Sequence, residues 1–214
     1  MLKLKVSSKS LLLYGITDRT WLNGRTLVDV VEDSIKGGVT FLQLREKELA
    51  YEEFLKEAFE IKTITDKYKI PFVINDNIDI ALACNADGVH VGQTDMQAGR
   101  VRRLIGDDKI LGVSVQTVEE AKIAIDNGAD YLGVGAMFVT NTKADASVMS
   151  MEALKKVCDS VSIPVVAIGG INETNMLKLK DTGIAGVSII SAIYAKPDIF
   201  EASKQLLELA KQIV

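Results

Sequence analysis

The chain has 214 residues, 48% of them hydrophobic, with three prolines and a formal charge of −4; that is enough apolar content for one large core, at a length α/β barrels reach undivided. The mild acidity, with a pI near 5.2, gives no global attraction to nucleic acid or an anionic membrane, so any anion has to be held by a local cluster. Two cysteines, Cys84 and Cys158, beside one histidine cannot build a Cys/His zinc site, and no stretch has the pattern of a secretory leader or of a membrane span of about 18 apolar residues. The expectation is a cytoplasmic protein whose thiols pack as small hydrophobes.

Short apolar runs alternate with segments of helical spacing. LLLYGIT (Leu11 to Thr17) leads into LVDVVEDSIKGG, and FLQLR (Phe41 to Arg45) into YEEFLKEAFEIKTITDKY. PFVIND (Pro71 to Asp76), GVHVG (Gly88 to Gly92) and ILGVSV (Ile110 to Val115) follow, the last running into VEEAKIAIDNG. YLGVG (Tyr131 to Gly135) precedes MEALKKVCDSV, PVVAIGG (Pro164 to Gly170) precedes GVSIIS (Gly186 to Ser191), and a last helix near Ile199 to Ile213 closes the chain. Several helical segments end in glycine, as C-termini do. Eight near-continuous apolar strands alternating with helices predict an α/β protein with a parallel sheet closed into a single (β/α)8 TIM barrel. An open doubly wound sheet is the alternative. Residues 1–10 form an N-terminal extension in this scheme, 11–195 the barrel and 196–214 a C-terminal helical segment.

Within TFLQLREKEL, Gln43, Arg45 and Lys47 fall at every second position and so share one face of a strand. In a barrel that face points inward and climbs to the C-terminal mouth, where active groups of this architecture sit, while Leu42 and Leu44 pack on helices. Three donors at a mouth need either an anionic ligand or carboxylates from neighbouring strands. PFVIND brings Asn75 and Asp76 to the next strand end, and HVGQTD puts Asp95 in the following loop. Two carboxylates beside a cationic face suit Mg²⁺, which takes few protein carboxylates and completes its shell with phosphate oxygens and water; Asp76 could instead cap the next helix. The longest loop, GAMFVTNTKADASVM, carries Thr140, Thr142 and Lys143. Gly169, Gly170 and Ser191, after strands seven and eight, offer amides and a hydroxyl where this barrel commonly holds phosphate. Two anion sites of different kinds in one cavity argue for a reaction joining two phosphorylated ligands. His90, in GVHVG, is either a satisfied structural group or a mouth-lining one.

QLREK, IND, GVHVGQTD, GVSV, the TNTK segment, PVVAIGGI and GVSIISAI, in this order from about Tyr14 to Ala192, resemble the thiamine phosphate synthase family. The resemblance implies a TIM barrel that joins a hydroxymethylpyrimidine diphosphate to a hydroxyethylthiazole phosphate by departure of diphosphate and capture by the thiazole nitrogen. It implies that Gln43, Arg45, Lys47, Asn75, Ser114 and Lys143 bind the pyrimidine diphosphate, with Arg45, Lys47 and Lys143 stabilising the leaving group. It further implies that Asp76 and Asp95 hold one Mg²⁺ per site, and that Thr140, Thr142, Gly170, Ile190 and Ser191 bind the thiazole phosphate. Val139 stands where the family usually has proline, which leaves that loop one constraint freer, and ADASVMSMEAL lacks glycine pairs many members carry. A thiazole tautomerase of the same superfamily, a different phosphate-handling isomerase or aldolase, and a non-catalytic thiazole-phosphate-binding barrel are the rival readings. Small phosphorylated molecules are the expected partners, without nucleic acid or membrane; a homo-oligomer is compatible with the sequence.

Overall fold

The computed structural model describes residues 6–93, 95–140 and 148–214. Eight parallel strands close into a barrel in chain order. They are β1 (Leu13–Ile16), β2 (Phe41–Leu44), β3 (Phe72–Asn75), β4 (Gly88–Val91), β5 (Ile110–Val115), β6 (Tyr131–Val134), β7 (Val165–Ile168) and β8 (Gly186–Ile189). Every apolar run contributes one, and Arg45, Asp76, Gly170 and Ser191 lie just beyond the ends of their strands. The outer elements are α1 (Leu27–Gly37), α2 (Tyr51–Tyr68), α3 (Ile78–Ala83), α4 (Ala98–Ile105), α5 (Val118–Asp126), α6 (Met151–Ser160), α7 (Ser191–Tyr194) and α8 (Ile199–Ala210). None of the described helices is long and apolar enough to cross a membrane.

Alternation along the strands splits the apolar residues into two cores. Tyr14, Ile16, Phe41, Val73, Tyr131 and Val166 fill the barrel interior, whereas Leu13, Leu42, Leu44, Phe72 and Ile74 pack outward on helices. Val6 and Leu11, around a 3-10 turn at Ser8–Leu11, join the inner cluster. The lower ends of β5 and β6 are fastened by Arg102 of α4. Its guanidinium donates to the carbonyls of Gly106 and Lys109 at 2.7 Å, to Gly128 at 2.8 Å and to Asp130 Oδ2 at 2.6 Å.

The repeat departs from the expected regularity after β7. There the chain forms only a 3-10 turn, Met176–Leu179. The reason is local: the Asn172 side chain takes up the backbone N–H of Thr174, Asn175 Oδ1 accepts from Asn172 N–H, and Asp181 adopts a left-handed φ of +63°. Such side-chain bonds compete with a helix rather than extend it.

The loops leaving β1 and β2 are braced against α2. Glu46, which alternation turns away from the cavity, accepts from Arg19 Nε at 3.0 Å, and the same guanidinium reaches Glu57 Oε1 at 2.5 Å. The Glu46 side chain is 2% exposed. Burial first, then the facing Glu57 carboxyl, push its pKa from 4.5 to about 7, against the opposing pull of Arg19. Glu57 Oε2 is buried without a partner among the described residues, so a protonated Glu46 is the donor this corner lacks. With the folded pKa above the unfolded one, folding takes up a proton between those values, and stability falls as pH rises through about 7. Glu46→Gln is expected to remove that slope. Thermal midpoints of the two proteins should diverge in the variant's favour from about pH 5 to about pH 8; parallel curves would place the linkage on another group.

Candidate active site at the barrel mouth

The face that opens with Gln43 divides as it climbs. Gln43 is buried, and its Nε2 donates to the Tyr14 hydroxyl at 2.6 Å, which corrects the expectation of three donors on the open mouth. Arg45 anchors its backbone N–H on Thr17 Oγ1 at 3.0 Å, and among the described residues its guanidinium has no carboxylate partner. Lys47 Nζ lies 2.7 Å from Asp76 Oδ2. Among the described residues, one of the three donors thus has no carboxylate partner, one has an internal carboxylate and one an internal phenol.

Asp76 does not cap the helix that follows; Asn77 does, its Oδ1 accepting from Ile80 N–H at 3.0 Å. Asp76 instead holds a left-handed φ of +60°, with its N–H on the His90 carbonyl at 2.9 Å. Outside glycine that conformation is uncommon, and Asn and Asp tolerate it best. It brings the carboxylate between Lys47, the Asn75 amide, which donates to Oδ2, and the Asp95 carboxyl. Asp95 is itself set by the Gly92 N–H, 2.7 Å from its Oδ2. Burial raises the Asp76 pKa and contact with Asp95 adds to it, while Lys47 pulls it down. Two carboxylates in contact are short of positive charge, and a hard oxygen-loving cation would supply it. Among the described residues no group of three or more His, Cys, Asp or Glu comes together, so a closed structural metal cage is absent there. A pair of oxygen ligands fits a cation that keeps other positions for phosphate and water.

The far side of the mouth is built from backbone. After β6 the chain runs on along β7, with Met137 N–H on the Ile168 carbonyl at 2.9 Å and Phe138 N–H on the Gly169 carbonyl at 3.0 Å. Gly170 has φ +67°, and a Cβ there would overlap the carbonyls of Phe138 and Val139; only glycine meets both demands. The Gly170 carbonyl is fixed by Asn175 Nδ2 at 2.9 Å. Among the described residues, the N–H groups of Gly170 and Ser191 have no backbone acceptor. Ile190 precedes the short α7, which Ser191 opens. Thr140 ends the described part of the loop, and Val139 before it is 84% exposed. Thr142 and Lys143 lie outside the described residues.

Between the two sides run groups that sequence reasoning missed. The Tyr14 and Tyr131 hydroxyls are 2.8 Å apart, and Tyr131 reaches His90 Nδ1 at 2.9 Å. His90 Nε2 lies 2.9 Å from Ser114 Oγ, so both ring nitrogens of this histidine are engaged and it is a satisfied group. Burial pushes both phenols well above their ordinary pKa, and both stay protonated. Two tyrosines inside apolar runs read as core; the only hint was that a buried phenol needs a partner.

Comparison with known proteins places this architecture. Residues 13–193 match the family described as thiamine monophosphate synthase. The thiamine-phosphate synthase of Clostridium tetani is 55% identical over 91% of this chain and 93% of its own length. That of Ruminiclostridium cellulolyticum is 53% identical over 92% and 94%. The thiamine phosphate pyrophosphorylase structure from Pyrococcus furiosus superposes with a TM-score of 0.89 at 37% identity, covering 97% of this chain and 98% of that one. With a match that spans the whole barrel and relatives more than half identical, the chain belongs to the thiamine-phosphate synthase family of transferases.

Proposed function

We propose that this barrel joins a hydroxymethylpyrimidine diphosphate to a hydroxyethylthiazole phosphate, releasing diphosphate and forming thiamine phosphate. The observation that carries the reading is the gathering of Arg45, Lys47, Asp76 and Asp95 on one side of the mouth, opposite the amides of Gly170 and Ser191. Membership of the thiamine-phosphate synthase family supports this reading.

In the reaction the bond from the pyrimidine methylene carbon to the diphosphate oxygen breaks, its electron pair leaving with diphosphate, and the thiazole nitrogen lone pair forms the new bond to that carbon. The difficult moment is charge accumulating on the leaving group, and fixed positive charge in a low-dielectric cavity lowers that barrier. Arg45, uncommitted among the described residues, is placed to meet it, and Lys47 stands at the same rim. Asp76 and Asp95 would hold Mg²⁺, which when bound supplies further neutralisation of the diphosphate oxygens. Gln43, Asn75 and Ser114 orient the pyrimidine, while Gly170, Ile190, Ser191, Thr140 and Thr142 hold the thiazole phosphate. Lys143 is assigned to the leaving group by its place in the motif. No side chain has to act as nucleophile in this reaction, whose bond-breaking step calls for fixed positive charge at the leaving group.

The test is a coupled assay with both phosphorylated substrates and Mg²⁺, following diphosphate and thiamine phosphate together, with a chelator control. Equal release of both products, abolished by the chelator, is expected. Binding of thiazole phosphate without turnover would overturn the reading. Asp76→Asn and Asp95→Asn should each lower metal-supported turnover by ~10²-fold or more at nearly unchanged melting temperature; full activity in either would remove that carboxylate from the metal site. Arg45→Met should lower kcat far more than it raises KM for the pyrimidine diphosphate, because its charge is matched to the leaving group as it forms.

A further inference from the structure

Five side chains from five strands form one unbroken hydrogen-bonded row across the barrel: Gln43, Tyr14, Tyr131, His90 and Ser114, linked at 2.6, 2.8, 2.9 and 2.9 Å. All but Ser114 are at most 8% exposed. The two ends are the groups assigned above to the pyrimidine; the middle touches neither substrate nor mouth in that assignment. Space for the middle is reserved, since a Cβ on Gly112 would overlap the Tyr131 phenol and His90 Nδ1.

Proton bookkeeping gives the row a direction. A hydroxyl donates one proton, and both phenols keep theirs. The Gln43 amide nitrogen can only donate; Tyr14 accepts from it, and the buried Tyr14 proton is satisfied within the row only when it is given to Tyr131. Tyr131 in turn donates to His90 Nδ1. The imidazole proton therefore sits on Nε2 and is given to Ser114 Oγ, whose own O–H is left for the cavity. At the other end the Gln43 Oε1 remains as an acceptor.

We propose that Tyr131 is a positioning residue that sets the hydrogen-bond polarity of the pyrimidine subsite, so that Gln43 presents an acceptor and Ser114 a donor. The proposal rests on the reading under "Proposed function" only for the identity of the ligand. A ring bearing an exocyclic amine and an unprotonated ring nitrogen is complementary to this polarity. A reversed row would present a donor at Gln43 and an acceptor at Ser114. Tyr131 cannot be replaced by another apolar aromatic without uncoupling the two ends.

His90 is the only histidine, so long-range proton–nitrogen NMR of ¹⁵N-labelled protein reads its tautomer without assignment and without substrate. The wild type is expected to show the Nε2–H tautomer, and Tyr131→Phe a mixture of the two. The same variant should raise KM for the pyrimidine diphosphate about tenfold, the equivalent of one net hydrogen bond, leaving KM for the thiazole phosphate within about twofold. Tyr194→Phe is the control, removing another buried phenol whose hydroxyl bonds Ser34 at 3.2 Å outside the row. An Nδ1–H tautomer in the wild type overturns the polarity whatever the variants do. An unchanged tautomer or KM in Tyr131→Phe, or equal effects in Tyr194→Phe, overturns the positioning role. If the wild type lacks turnover, the substrate reading fails, while the tautomer still decides the polarity.

Discussion

Closure of a parallel sheet on itself is the constraint from which the rest follows. In a closed barrel each strand is hydrogen-bonded on both sides, so a slip by one residue would send its polar row into the helix layer and its apolar row toward the axis. The register of this chain places Asn75 beside His90, Gln43 beside Val73 and Ser114 beside Gly133. A ring of polar groups is thereby held above an apolar floor that includes Phe41, Ile110 and Val166. That ring stays wet or ligand-bound on one side while its other side is as dry as any core, which is where electrostatic contacts gain most.

The cavity is built unevenly around this ring. β2 to β4 bring side-chain cations and a carboxylate pair to the mouth, whereas β6 to β8 bring backbone amides. The difference suits two ligands with different fates. A group that departs with growing charge needs strong, fixed positive charge, and a phosphate that stays attached needs only geometry. Burying Glu46 behind Arg45 and Lys47 is costly, and the cost is offset by what it holds: Arg19 and α2 are tied to the loop that carries both cations.

Much of this was legible in the chain, and the limits of legibility have a physical cause. Period-two alternation says which face a residue occupies, and it put Gln43, Arg45 and Lys47 inside and Leu42 and Leu44 outside. It does not name the partner waiting there. Gln43 meets Tyr14 and Lys47 meets Asp76, each 29 residues distant, and Tyr14 meets Tyr131 across 117 residues. The setting of Glu46 is not local in the sequence either, because the Arg19 and Glu57 that face it belong to other elements. The helix that strict strand–helix alternation implies after β7 is missing for a local reason, the side-chain bonds of Asn172 and Asn175. Thr142 and Lys143 stand on the motif alone.

The Arg102 clamp has a consequence for how such a barrel can change over time. One guanidinium, 13% exposed, ties three carbonyls and Asp130 beneath β5 and β6, at the end opposite the mouth. The strands are therefore fastened from below, away from the mouth. Insertions and replacements in the upper loops leave that fastening untouched. Inheritance can rewrite the rim for a new pair of ligands while the same molecule continues to fold.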